Sequence, residues 1–234
     1  MAEPRIRELS PGLVAIDHPL RLPGGLELGT RCCLIRLASG GVLIHTPGPL
    51  SDAVRRAIDS LGPVRALVAP NLLHHFFLAE NVAAFPQARV FAAPGLREKL
   101  ENKVRVDETL ADKPPELWAA DLDQVQVGGC PSLGETVFLH RASRTLLCLD
   151  LVFNVNTSQN WMTRLFMRIN GAYGSFGPSR LFRYVVMKDR RALRASLDRI
   201  LAWDFDRVTL AHGEILEHGG HREIQRGFAW LATQ

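Results

Sequence analysis

The chain has 234 residues, 47% apolar and 22% charged, enough for one well-buried core and too little charge for a disordered chain. No apolar stretch approaches the roughly 20 residues that a bilayer-spanning helix needs, and no basic start runs into an apolar segment, so a soluble protein without a cleaved leader is expected. Its net charge is +4, and its four cysteines, the adjacent Cys32 and Cys33 plus Cys130 and Cys148, form neither a disulfide framework nor a metal ribbon, which points to a reducing compartment, the cytoplasm.

In chain order, Leu13 to Asp17, Cys32 to Leu37 and Val42 to Thr46 have strand patterning, with a hairpin turn at Gly40-Gly41. Ser51 caps a predicted helix through Leu61, whose apolar positions Val54, Ile58 and Leu61 follow helical spacing. Val64 to Ala69 is a continuous apolar strand that delivers the chain to His74 and His75. A helix from about His75 to Phe85, a strand over Ala88 to Ala92 and a helix from Pro94 to about Asn102 follow. This alternation places helices on sheet faces. The polar stretch from Lys103 to Leu122 reads as a loop. Gln124 to Val127 is then a strand, and Thr136 to His140 with Thr145 to Asp150 form a second hairpin. Asp189 caps a helix to Trp203, Arg207 to Ala211 is the last strand, and Gly220 to Leu231 is a closing helix. One domain spans residues 1–234, with a basic amphipathic insertion at about 155–188.

Three strand ends carry the chemistry. Asn71-Leu72-Leu73-His74-His75 and Ala211-His212-Gly213 each place histidine just after an apolar run, and Asp150 ends a third run between them. Two imidazoles and a carboxylate from remote strand ends suit one cation. A turn near residues 142 to 144 sets Thr136 opposite Asp150 and His140 opposite Leu146, which leaves His140 roughly 13 Å from the Asp150 level along the strands. Glu135 is within reach of that level and His140 is not. The candidate ligands are therefore His74 or His75, His212, Asp150 and Glu135. Such a set suits zinc with an open position, or a two-histidine-one-carboxylate iron site. The opposing reading makes His74 and His75 a helix start and its packing, with no cofactor. His18, His218 and His221 sit among polar or turn residues and are expected at the surface. Cys32, Cys33 and Cys148 read as small core residues. Cys130 has no charge partner in sequence that would make it a thiolate.

Several stretches resemble the metallo-β-lactamase superfamily, in an uncharacterised branch described as a domain of unknown function. They are Gly41 to Gly48, Ala69 to His75, Phe85 to Gly95, Glu135 to Thr145 with Asp150, and Trp203 to Gly213. They occur in the superfamily's order and span most of the chain. The resemblance implies an α/β (α+β) fold, a four-layered αβ/βα sandwich, with a metal site at the sheet edges. The superfamily's first motif, Thr-His-x-His-x-Asp-His, is thinned here to His74 and His75, and its Gly-His-Thr segment falls near Gly129 to Glu135, with Cys130 or Glu135 nearest the missing histidine. Asp150 matches the metal-bridging carboxylate and His212 the terminal histidine. His45 stands where the superfamily has an aspartate, placed either to orient a ligand or the Pro47-Gly48 loop or to serve as a structural histidine. Asn71 and Cys130 flank the site. A metal-dependent hydrolase is implied, with Asp150 and His75 in the chemistry and an ester, thioester, lactone or phosphodiester as substrate; the alternative is a binding protein that keeps the fold.

Between Asn160 and Ile200 nine cations face two aspartates, so this segment carries +7 and the rest of the chain −3. Within it, Trp161, Met162, Leu165, Phe166 and Ile169 are expected on one helical face, with Arg164 and Arg168 elsewhere. Such a helix fits a lid with a cationic rim for a small anionic or acyl substrate, a peripheral membrane contact or a homodimer face, and the plainest reading is a helix simply packed on the core. Nucleic acid is the less favoured partner, because the aromatics fit a packed face better than a row of stacking platforms.

Overall fold

Strict alternation governs where each central strand sends its side chains. Cys33 and Ile35 face inward and Cys32 and Leu34 outward; likewise Ala66 and Val68 against Leu67 and Ala69, and Phe138 against Val137 and Leu139. Buried on both faces, such strands need a cover on each side. The computed structural model describes residues 3–22, 24–101 and 103–231.

Seven strands line up in chain order in the first sheet: β1 Arg5–Ser10, β2 Leu13–His18, β3 Thr30–Arg36, β4 Val42–His45, β5 Val64–Ala69, β6 Arg89–Ala92 and β7 Glu108–Thr109. Pairing is antiparallel from β1 to β4 and parallel from β4 to β7. Parallel neighbours need crossovers, which α1 (Asp52–Leu61), α2 (Leu78–Ala84) and α3 (Leu96–Lys99) provide. The second sheet holds β8 Leu122–Gln126, β9 Thr136–His140, β10 Thr145–Leu147 and β11 Arg207–Thr209 in the order β11-β10-β9-β8. Then come α4 (Trp161–Ile169), a π-turn at Phe182–Val186, α5 (Arg190–Leu201), α6 (Gly220–Gly227) and a 3-10 turn at Ala229–Leu231.

Leu13, Phe91, Trp118, Phe138 and Leu147 fill the space between the sheets. Val54, Ile58, Leu78 and Leu96 cover the first sheet's outer face from the helices, and Leu193, Leu197, Ile200 and Ile224 cover the second sheet's. The result is the expected helix-sheet-sheet-helix layering. Ser51 caps α1 by accepting from the Val54 amide, and Asp189 caps α5 by accepting from the Arg191 and Ala192 amides.

Several boundaries differ from expectation for physical reasons. β1 is almost all exposed or half-buried, so it joins the sheet through its backbone and shows no apolar alternation. The helix expected from His75 starts at Leu78, because the Asn71 side chain holds the preceding residues in a turn. The helix expected from Pro94 keeps four residues, Leu96–Lys99. The second hairpin is shifted by one residue: Thr145, not Leu146, faces His140, with Arg144 in the left-handed region at φ 50°. The closing helix stops at Gly227 and continues as the 3-10 turn.

Helix α4 exists, with Asn160 accepting from the Thr163 amide at its start, but the face it buries is not the apolar one that the sequence picks out. Thr163 and Met167 are buried, while Trp161, Leu165 and Ile169 are exposed.

Candidate metal centre

Three strand exits meet at one rim. The turn after β5 carries His74, the segment after β10 carries Asp150, and the segment after β11 carries His212. One ligand atom from each of these three buried residues lies within 4.8 Å of the others. His74 Nε2 is 3.1 Å from Asp150 Oδ2, and His212 Nε2 is 3.4 Å from Asp150 Oδ1. The two imidazole rings are 5.0 Å apart between centroids.

The surroundings set which ring nitrogen is available. His212 Nδ1 is 2.9 Å from the Gly29 carbonyl oxygen, which can only accept, so Nδ1 carries a proton and Nε2 is the nitrogen turned to the carboxylate. A ring nitrogen anchored on a carbonyl, with the other turned to the site, is the usual second partner of a metal-binding histidine. His74 Nδ1 is 3.3 Å from Thr30 Oγ1, a hydroxyl that can either donate or accept, and its Nε2 is likewise the nitrogen turned to Asp150. Two such nitrogens and one carboxylate fit a cation that keeps an open position.

Burial works to raise the Asp150 carboxyl, but the charge and bonds of His74 and His212 outweigh it and hold it well below the usual range. Burial likewise works to lower His74, yet Asp150 raises it above 6.5. Asn71, fully buried, locks the geometry: its Nδ2 donates to Asp150 Oδ2 at 2.8 Å, and its Oδ1 accepts from the amides of Leu73 and His74 at 3.0 and 2.7 Å. One side chain therefore positions a ligand from each sheet.

Glu135 does not join the three. Its two oxygens accept from the Leu149 and Asp150 amides at 2.7 and 2.8 Å, so it holds the backbone that carries Asp150. Burial, with the nearby Asp150 charge, pushes its carboxyl up to about 7. His75 is corrected too: it is half-buried, stacks on Phe76 with centroids 5.5 Å apart, and lies outside the cluster. Adjacent residues in a turn point apart, and His74 is the one turned inward.

A family model described as a domain of unknown function, DUF4336, matches residues 24–168, more than half of the chain. The chain belongs to the DUF4336 family. No curated protein matches it. Among solved structures, a metallo-β-lactamase from Pontibacter korlensis is 12% identical, with a TM-score of 0.67 over 99% of this chain and 100% of that one. The enzyme from Erythrobacter litoralis is 12% identical, with a TM-score of 0.68 over 100% of this chain and 98% of that one. FIM-1 from Pseudomonas aeruginosa, solved in a mono-zinc form, is 9% identical, with a TM-score of 0.65 over 99% and 94%. At these identities the likeness establishes the metallo-β-lactamase fold of this DUF4336 chain.

Other candidates take structural places. His45 is buried, edge-on to Phe138, with Nδ1 3.2 Å from Thr46 Oγ1; burial lowers it to about 3. His18, expected at the surface, is buried against Gly48 and lowered by burial to about 4; it ends β2, whose inward pattern its polar neighbours obscure. His218 is exposed and His221 half-buried. Cys130 packs in the second sheet's outer core, and burial pushes its thiol up to about 11, opposite to a reactive thiolate. Arg164 donates to the Ser158 and Gln159 carbonyls, and Arg168 lies over the Tyr173 ring. Sequence reasoning missed Thr30 and Gly29, which anchor the two histidines from β3 and its entry; polar backbone contacts of this kind leave no periodic signal.

Proposed function

We propose that the chain is a metal-dependent hydrolase with one cation held by His74, Asp150 and His212. The convergence of these three ligand atoms carries the reading. The fold supports it, as does the mono-zinc form of one structural neighbour. The donor set suits zinc, or iron, which would supply Lewis-acid strength for attack on an ester, thioester, lactone or phosphodiester near neutral pH. One ion is favoured over two: among the described residues the segment from Asn71 to Phe77 contributes only His74 to the cluster, and Glu135 is committed to amides.

The chain's own groups divide the remaining work. Asp150 supplies the negative charge that a cation needs in a buried place, and Asn71 keeps its Oδ2 and the His74 turn in register. His212 keeps its proton on Nδ1 through the Gly29 carbonyl.

Elemental analysis of protein purified without added metal tests the reading, together with hydrolysis assays on the four substrate classes. Stoichiometric zinc or iron, a turnover on at least one class, and loss of both in Asp150→Asn are expected. No metal after incubation with zinc and iron, and no turnover, would overturn it in favour of a binding protein.

A further inference from the structure

We propose that the outer face of α4 and the π-turn form a docking surface for an anionic lipid bilayer. The inference goes beyond the hydrolase reading and does not rest on it. Trp161, Leu165 and Ile169 repeat every fourth residue along one row of α4 and are 63%, 50% and 62% exposed. In the π-turn and the residue just before it, Leu181, Tyr184 and Val185 are 46%, 70% and 54% exposed. Six of the nine large exposed hydrophobic residues among those described thus fall within 25 positions, far denser than scattered surface apolar residues, which need no explanation. Both groups flank one seam, because the Arg180 amide donates to the Asn170 carbonyl at 2.7 Å and Arg180 Nη1 to the Ile169 carbonyl at 3.1 Å.

The face is not spare core. Helix α4 already buries Met167 among Leu28, Phe153 and Val155, and Thr163 against the Glu27 backbone, on its inner side. What remains outward is a second apolar stripe, and its charge selects the occupant. From Leu151 to Lys188 there is no acidic residue, while Arg164, Arg168, Arg180, Arg183 and Lys188 supply five cations. Among the described residues none of the five forms an ion pair; the arginines rest on carbonyls or on aromatic rings. An apolar stripe carrying an exposed Trp and Tyr and bordered by uncompensated cations matches a headgroup region with negative charge. A second copy of this chain fits worse, because two-fold pairing would set these cations against themselves.

Co-sedimentation of the full chain with vesicles tests the proposal, using phosphatidylcholine alone and phosphatidylcholine mixed with phosphatidylglycerol. Binding to the mixed vesicles only, release by high salt, and a blue shift of tryptophan emission that Trp161→Phe removes are expected. Leu165→Glu/Ile169→Glu should abolish binding with unfolding temperature and metal content unchanged, and Arg168→Gln/Arg183→Gln should weaken it about 25-fold, at about fivefold per cation. Three results overturn the proposal: no binding to the mixed vesicles, binding unaltered in both double variants, or a wild-type dimer that Leu165→Glu/Ile169→Glu converts to monomer, which would assign the face to a second copy.

Discussion

Asp150→Asn separates a metal site from a mere hydrogen-bonded cluster. The carboxylate accepts from Asn71 Nδ2 at 2.8 Å and faces the two histidine Nε2 atoms at 3.1 and 3.4 Å, so the isosteric amide keeps the volume and removes the charge. In metal-free protein the loss is limited, because His74, raised above 6.5 by Asp150, sheds its proton rather than stay charged and unpaired. A cost of about 1–3 kcal/mol is expected. With zinc the contrast is larger. Free zinc at about a thousand times its Kd stabilises a one-site protein by about 4 kcal/mol. In a chain of this size each kcal/mol moves Tm by about 2–4 °C, so zinc should raise the wild-type Tm by about 8–16 °C. The assay is a set of four thermal scans, wild type and variant, each with chelator and with zinc. The wild type should gain the full shift and Asp150→Asn almost none. An equal shift in both proteins refutes the assignment of Asp150 as a ligand.

Glu135→Gln should keep metal stoichiometry while losing about 1–3 kcal/mol in urea unfolding, because an amide oxygen cannot serve both the Leu149 and Asp150 amides; metal loss equal to that of Asp150→Asn would make Glu135 a ligand after all. Gly213→Ala should destabilise by about 2 kcal/mol or more and weaken metal binding, since Gly213 has φ 99° and an added Cβ would run into the Asn154 carbonyl beside His212; wild-type stability with full metal content would contradict this. Metal-free protein should be most stable near pH 6.5. Below that value the unfolded chain takes up protons that buried His18 and His45, lowered to about 4 and about 3, refuse, so they cost stability as pH falls. Glu135, raised from 4.5 to about 7, opposes them by one proton, but His75 and His140, also lowered by burial, side with His18 and His45, so stability still falls as pH drops from 6.5 toward the unfolded Glu135 value. Above 6.5 the raised His74 and Glu135 lose stability as pH climbs through their folded values. Urea midpoints across pH in chelator check this, and His18→Gln should flatten the acid limb. A midpoint that climbs steadily on acidification below pH 6.5 counts against it.

What the sequence made legible was set by periodic burial. β3, β5, β6 and β9 alternate or run apolar because both faces are covered, and the residues that end such runs, His74 and His212, are carried to the rim. The choice between His74 and His75 was not legible, because it depends on which amides the Asn71 side chain captures. Asn71 itself was the available sign, as an asparagine just past a strand holds a turn through its own carbonyl oxygen. Glu135 was read as a ligand because it is an acid near Asp150; its commitment to amides 14 and 15 positions away is tertiary.

Helix α4 shows the limit of periodicity most directly. Its sequence holds two overlapping stripes, Trp161-Leu165-Ile169 and Thr163-Phe166-Met167, and the first is the more apolar. Hydrophobicity alone buries the first. The fold buries the second because Thr163 Oγ1 accepts from the Glu27 amide at 2.8 Å, tying α4 to the segment that leads into Gly29 and Thr30, the anchors of His212 and His74. One polar bond at the centre of the inner face thus fixes the rotation of the helix. That rotation turns the more apolar stripe to the outside, where only a further surface can cover it.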